Sequence, residues 1–313
     1  MNRVRIKNIV NRWKGQAKDF SISIALGDIV CSTVLRKSNG PLKHSINEKY
    51  YNKAKDIILQ RYQYVVDKWN VENDVSILKN FNKKLPIYIF WWQSIEDAPG
   101  LIVSCIDRIK ELAENPVIVV DKNNWSELVD LPKFAVNAVN TGNISLTTFS
   151  DILRYNLLAK TGGMWIDPTC YLSHKFDEEV YEYPFYTINH GDIWEHPICK
   201  GKWSTFFLCS GENNPLFGFI SDMINEYWKN EKSLAVYLLP DVFFSIGYEN
   251  IPYIKKVIDM VPENNRDRVK LIKMLSQSKG KNFDELVEKV DKQTYIHKLT
   301  YKTYIEKFDG DCR

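Results

Sequence analysis

Asp151, Arg154 and Asp167 are the residues whose types and spacing can do chemistry together. Asp151 and Arg154 lie three apart in a stretch with helical spacing, so they share one helix face. Asp167 directly follows a short apolar run, which puts its carboxylate at the end of a strand. A guanidinium and two carboxylates gathered there suit a ligand rich in phosphate and hydroxyl groups, such as a sugar nucleotide. Each residue also has a plainer reading. An exposed helical ion pair stabilises by under about 1 kcal/mol, and an aspartate before proline is a common turn residue.

The elements that must position these residues are legible around them. Ile87–Trp92 (IYIFWW) is a continuous apolar run, as in a strand buried on both faces of a parallel sheet. Leu101 to Leu112 has helical spacing, and Val117–Val120 (VIVV) reads as a second buried strand ending on Asp121. Strand, helix and strand in succession make a βαβ unit, whose ligands bind beyond the carboxyl ends of the strands. Trp91, Trp92, Gln93, Asp121 and Asn123 belong to that edge. Thr147 or Thr148 is the expected N-cap of the next helix, with Asp151 in its first turn. Ile152, Leu153, Leu157 and Leu158 form its apolar stripe, Gly162-Gly163 stops it, and Met164–Ile166 is a third strand. Helices are also expected over Pro215 to Trp228 and Asn282 to Val290.

Residues 1–80 read as a helical N-terminal segment, with an apolar face recurring from Glu48 to Lys79, and residues 81–313 as the main domain. Before Asp19 stand Arg3, Arg5, Lys7, Arg12, Lys14 and Lys18 with no acid among them. That pattern fits a basic amphipathic helix lying on an anionic membrane, or a solvated terminal helix. No apolar run approaches the roughly 18 residues that span a bilayer. Overall, 42 basic against 39 acidic residues leave no electrostatic footprint for nucleic acid. The six cysteines, Cys312 among them, show no metal-ligand spacing, so reduced thiols in a cytoplasm are expected.

The run Ser150-Asp-Ile-Leu-Arg154, followed by Gly162-Gly-Met-Trp-Ile-Asp167, resembles the signature of the Och1-like glycosyltransferases of family 32. Large clostridial glucosylating toxins and bacterial capsular polysaccharide synthesis proteins share that signature. Weaker similarity extends through the Ile87–Trp92 strand, Ala98-Pro99, the Val119-Val120-Asp121 strand end and His297-Lys-Leu-Thr300, and the capsular group resembles the chain most, sharing the Trp91-Trp92-Gln93 segment and the Lys-Leu-Thr. The resemblance implies an α/β protein of the GT-A type, a Rossmann-like mixed sheet flanked by helices, carrying a helical N-terminal extension. It implies a UDP-sugar donor and transfer with retention of anomeric configuration. The acceptor would be a growing, lipid-linked capsular or surface polysaccharide, and the protein would sit in the cytoplasm, peripheral on the inner face of the membrane. Other readings are a glucosylating effector acting on a protein and a non-catalytic sugar-nucleotide-binding protein.

Carried onto this chain, the resemblance has Asp151 holding sugar or ribose hydroxyls and Arg154 facing sugar or phosphate. Trp91 would stack on the base, with Gln93, Asp121 and Asn123 near base and ribose, and His297 and Lys298 closing over the diphosphate. Asp167 would be the first acid of an Asp-x-Asp metal motif for Mn²⁺ or Mg²⁺, with Thr169 and His297 as further ligands. Thr169 stands where the usual motif has a second aspartate. A neutral hydroxyl is a poor ligand for a hard divalent cation, so the sequence leaves metal dependence open. On the acceptor side, Asp241 is the candidate for orienting a hydroxyl. Glu195 and His196, in the aromatic stretch Tyr183 to Trp203, are alternatives. His190 and His196 also read as packed loop residues.

Overall fold

The computed structural model describes residues 3–35, 38, 40–71, 74–277 and 282–301. Cys312 lies outside the described residues, and so do the side chains of Arg3, Arg5 and Lys7.

Among the described residues seven strands form two sheets, and the larger one has the order β2-β1-β3-β6-β5. Strand β1 (Ile87–Phe90) pairs in parallel with β2 (Val117–Val120) and with β3 (Gly163–Ile166). On the far side of β3, β6 (Phe207–Ser210) runs antiparallel to β3, and β5 (Phe185–Thr187) runs antiparallel to β6. This five-stranded mixed sheet flanked by helices is the expected α/β class. Every residue of β1 and β3 is buried, which explains their unbroken apolar sequence. The expectation of full burial fails for β2, where only Val120 is buried. An edge strand has one neighbour and less cover. Strand β1 also ends at Phe90, so Trp91 and Trp92 belong to the turn beyond it.

The helices follow the sequence with shifts at their ends. Helix α1 (Arg3–Asp19) is followed by α2 (Ile22–Ile29), capped by Ser21. Helix α3 (Pro41–Trp69) stops ten residues short of the expected Lys79. Its last residues are pinned to Asp222, which accepts from Trp69 Nε1 and Lys68, and Asp74 then caps a separate short turn. Helix α4 (Gly100–Leu112) links β1 to β2, and the short α5 (Trp125–Leu128) and α6 (Lys133–Asn140) follow.

Helix α7 (Leu146–Thr161) carries Asp151 and Arg154. Its N-cap is Ser145, whose Oγ accepts from Thr148 N at 3.1 Å, so the cap precedes the expected threonines. Asp151 therefore sits in the second turn, too deep to complement the end of the helix dipole. Gly162 and Gly163, at φ 65° and 102°, turn the chain into β3. A Cβ at Gly163 would come within 2.7 Å of the Pro86 carbonyl oxygen, and one at Gly162 equally near that of Gly211.

Helices α8 (Pro215–Asn230) and α9 (Leu239–Asn250) pack with α7 and α3, and α10 (Pro252–Asp259), α11 (Lys270–Gln277) and α12 (Phe283–Val287) complete the set. The buried residues of α3 share one core with the sheet. The smaller sheet pairs β4 (Cys170–Leu172) with β7 (Ile296–Lys298), in the register Cys170↔Lys298. It brings the far C-terminal region of the chain to the end of β3.

Candidate active site

The carboxyl ends of β1, β2 and β3 open on one edge of the large sheet, and Asp167 stands at the end of β3. Its Oδ1 accepts from Trp165 Nε1 at 3.1 Å and from Arg154 Nη2 at 3.3 Å. Its Oδ2 accepts from Lys298 Nζ at 2.6 Å. The same ammonium donates to Thr169 Oγ1 at 2.8 Å. Arg154 is held from two further sides: Nη1 donates to the Thr205 carbonyl at 2.7 Å, and its guanidinium lies 4.8 Å from the Trp165 ring. Asp151 is 3.7 Å from it. Arg154 is almost fully buried, and its Nε has no partner. Such a group is costly to keep dry unless its charge is used.

Three carboxylates surround these two cations, and their environments push them apart. Burial opposes the charge of Asp167, but Lys298 and then Arg154 hold its carboxyl below the ordinary range. Burial dominates at Asp151, which is pushed up to about 6 against the pull of Arg154. Asp241, in the first turn of α9, is raised further, to about 7, by burial first and by the nearby Asp151 charge; the hydrogen bond from Trp203 Nε1, at 3.0 Å, works the other way. One carboxylate is firmly ionised while another is poised near neutrality, which separates a charge-holding role from a proton-exchanging one.

A raised carboxyl also makes a stability prediction. Its native pKa lies above the unfolded value near 4, so the native state binds the extra proton between about pH 4 and 7. The native state therefore loses stability as pH rises through that window. Asp241→Asn removes the penalty. It should raise Tm by about 2 °C or more at pH 8, with the gain vanishing toward pH 4, read by calorimetry across pH. A gain independent of pH would sink the assignment.

Other predicted residues divide into two groups. Trp91, Gln93, Asp121 and Asn123 lie on the expected edge. The Trp91 indole is half-buried with Nε1 unpartnered, and it meets Tyr301 edge-on at 5.9 Å. Asp121 is committed to its own turn, accepting from Ser94 Oγ at 2.7 Å and from the backbone N–H groups of Asn123 and Asn124. Asn123 and Gln93 are exposed.

His297 does not join the cluster. Successive residues of a strand face opposite ways. While Lys298 turns to Asp167, the His297 ring is buried with both nitrogens unpartnered, 6.4 Å from the Tyr171 ring. Burial and His174 lower it to about 4, so it is neutral. Among the described residues no group of three His, Cys, Asp or Glu is placed to hold a metal.

A cavity of about 190 Å³ leads to Asp151 between Thr148, Trp228, Tyr237 and Pro240. A larger one, about 610 Å³, lies between residues 191–195 and 266–273. Glu195 belongs there, bound to Arg268 at 2.7 Å and 4.0 and 3.9 Å from His190 and His196. This cavity neighbours the cluster through the backbone, since Lys298 N donates to the Arg268 carbonyl.

Sequence reasoning passed over Trp203, which bonds Asp241, and the Thr205 carbonyl, which aims Arg154. The aromatic stretch ending at Trp203 was a signal for the first. A backbone carbonyl carries no residue-type signal, so the second had none.

The fold is an α/β one, a five-stranded mixed sheet flanked by helices, and its site gathers Arg154, Lys298 and Asp167 where β3 ends. The chain belongs to the family of capsular polysaccharide synthesis proteins, whose profile matches residues 38–311. Among solved structures it is similar to one titled PaToxG Glycosyltransferase, at 18% identity and a TM-score of 0.40, covering 70% of this chain and 83% of that one. No curated protein matches the chain significantly.

Proposed function

We propose that this chain is a retaining glycosyltransferase. It moves a sugar from a UDP-sugar to a growing, lipid-linked capsular or surface polysaccharide. The observation that carries the reading is the Arg154–Asp167–Lys298 cluster at the sheet's carboxyl edge, with Asp151 and Asp241 beside it. Lys298 and Arg154 would face the diphosphate and Asp151 the sugar hydroxyls, with Trp91 under the base and Gln93, Asp121 and Asn123 around base and ribose. In transfer, the acceptor oxygen bonds to the anomeric carbon from the face that the diphosphate leaves, as retention requires, and its proton passes to Asp241. The bond to the diphosphate breaks with its electron pair leaving on phosphate, on the side where the two cations stand. Positive charge held where negative charge develops is the usual main source of such catalysis.

A thermal-shift panel of UDP-, GDP- and CDP-sugars tests the reading. UDP-sugars should raise Tm most, because ligands that bind only the native state stabilise it. A panel without any shift would remove the donor site. Binding without turnover would point instead to a sugar-nucleotide-binding protein.

A lipid-linked acceptor implies contact with the inner face of the cytoplasmic membrane. Among the described residues no helix is long and apolar enough to cross one. The inner face of α1 is already committed, with Arg12 and Trp13 bonded to Asp28 and Gln16 to the Ala235 carbonyl. Among the exposed apolar residues, Ile22 and Leu26 stand one turn apart on α2, beside the basic α1. Such a surface suits anionic lipid. Replacing both by Glu should abolish flotation with vesicles rich in anionic phospholipid, and unchanged flotation would dispose of this contact.

A further inference from the structure

We infer that Lys298 is the permanent cation of this site, standing where an Asp-x-Asp site would hold a divalent metal, so that the donor diphosphate is bound without metal. The inference rests on the nucleotide-sugar reading above and specifies how that site neutralises phosphate.

The argument starts from the two positions that would ligate the metal. Asp167 and Thr169 flank Pro168, and a single ammonium already bridges their side chains, at 2.6 Å and 2.8 Å. The other oxygen of Asp167 is occupied by Trp165 and Arg154. A divalent ion would therefore meet one carboxylate already shared with two cations, and one neutral hydroxyl. Hard cations favour several charged oxygens, and this donor set does not supply them. It does suit an ammonium, whose single charge one carboxylate balances.

The lysine is also held in advance. Its backbone lies in the β4–β7 pair opposite Cys170, Lys298 N donates to the Arg268 carbonyl, and Leu299 N donates to the Thr169 carbonyl. Its Nζ lies over the Phe206 ring, 5.0 Å from the centroid. Little conformational freedom remains to be lost when a ligand arrives. An ammonium has three N–H donors, and among the described residues two are engaged, leaving one for a phosphate oxygen. The side chain keeps about a quarter of its surface open, so that donor can be reached.

Titration calorimetry with UDP on metal-stripped protein, in EDTA and in Mn²⁺, tests this. UDP should bind the wild-type chain with affinities within about threefold in the two buffers, a difference of under about 1 kcal/mol. Lys298→Ala should bind at least about tenfold more weakly in EDTA, while Lys298→Arg, which keeps the charge if the alanine variant fails to fold, should stay within about threefold. The double variant Thr169→Asp with Lys298→Ala should regain affinity only in Mn²⁺. A wild-type affinity that rises tenfold or more with Mn²⁺, or a folded Lys298→Ala chain that binds like wild type, overturns the inference. Absence of UDP binding in both buffers overturns the UDP donor reading itself and this inference with it.

Discussion

Arg154→Ala is expected to lower the rate of sugar transfer by about a thousandfold or more, since losing one preorganised donor to a developing charge typically costs a hundred- to thousandfold and this residue also binds the ground state. The geometry gives the reason for the size. Arg154 is fixed by the Thr205 carbonyl, the Trp165 ring and Asp167, so its charge is aimed before any ligand arrives. Arg154→Lys keeps the charge but not the fork that reaches the Thr205 carbonyl and Asp167 together. It should lose about ten- to a hundredfold, and the difference between the two variants measures orientation apart from charge. The fold should survive either change, because Asp167 keeps Lys298 and Trp165 as partners. Initial rates of donor consumption, with Tm measured alongside, decide the matter. If Arg154→Ala turned over like wild type, the guanidinium would be a buried ion-pair member and nothing more.

The local part of this site was readable in the sequence because local rules govern it. The spacing of Asp151 and Arg154, the Gly162-Gly163 turn and Asp167 at a strand end all follow from contacts within about twenty residues. One error was local, a choice among neighbouring capping residues, and the others came where a longer-range contact overrides propensity. The Ser145 cap moved α7 by a few residues, which was enough to take Asp151 out of the first turn. VIVV looks the same whether a strand lies inside a sheet or at its edge, and only the sheet order shows that β2 has one neighbour. His297 and Lys298 are adjacent in sequence, so spacing alone could not tell which would face Asp167. The pairing of β7 with β4 decides it, and that pairing spans well over a hundred residues. Family resemblance pointed to the dipeptide as a whole, and strand alternation brings only Lys298 to Asp167.

The largest effect on stability is expected at Trp165, where core and site are the same residue. Its side chain is fully buried in β3, paired with Tyr88 on one side and Leu208 on the other, and its ring lies 6.3 Å from that of Phe90. Truncating such a residue removes transfer energy and leaves a cavity, so Trp165→Ala should cost about 3–5 kcal/mol. In a chain of this size that lowers Tm by roughly 5–8 °C, read by thermal unfolding. The same indole donates to Asp167 and lies over Arg154, so its loss frees both charges to move. Trp165→Phe separates the two duties. Phenylalanine keeps most of the packing and the ring face beneath Arg154, but it has no N–H for Asp167. A lost hydrogen bond to a charged group costs about 1.5–3 kcal/mol, and here that cost falls on the carboxylate that orders both cations. Trp165→Phe should therefore lose rate out of proportion to stability, with a few degrees of Tm against about a tenfold fall in turnover. A phenylalanine variant that keeps the wild-type rate while losing Tm would show that Trp165 serves the core alone, and that Lys298 and Arg154 suffice to hold Asp167 in place.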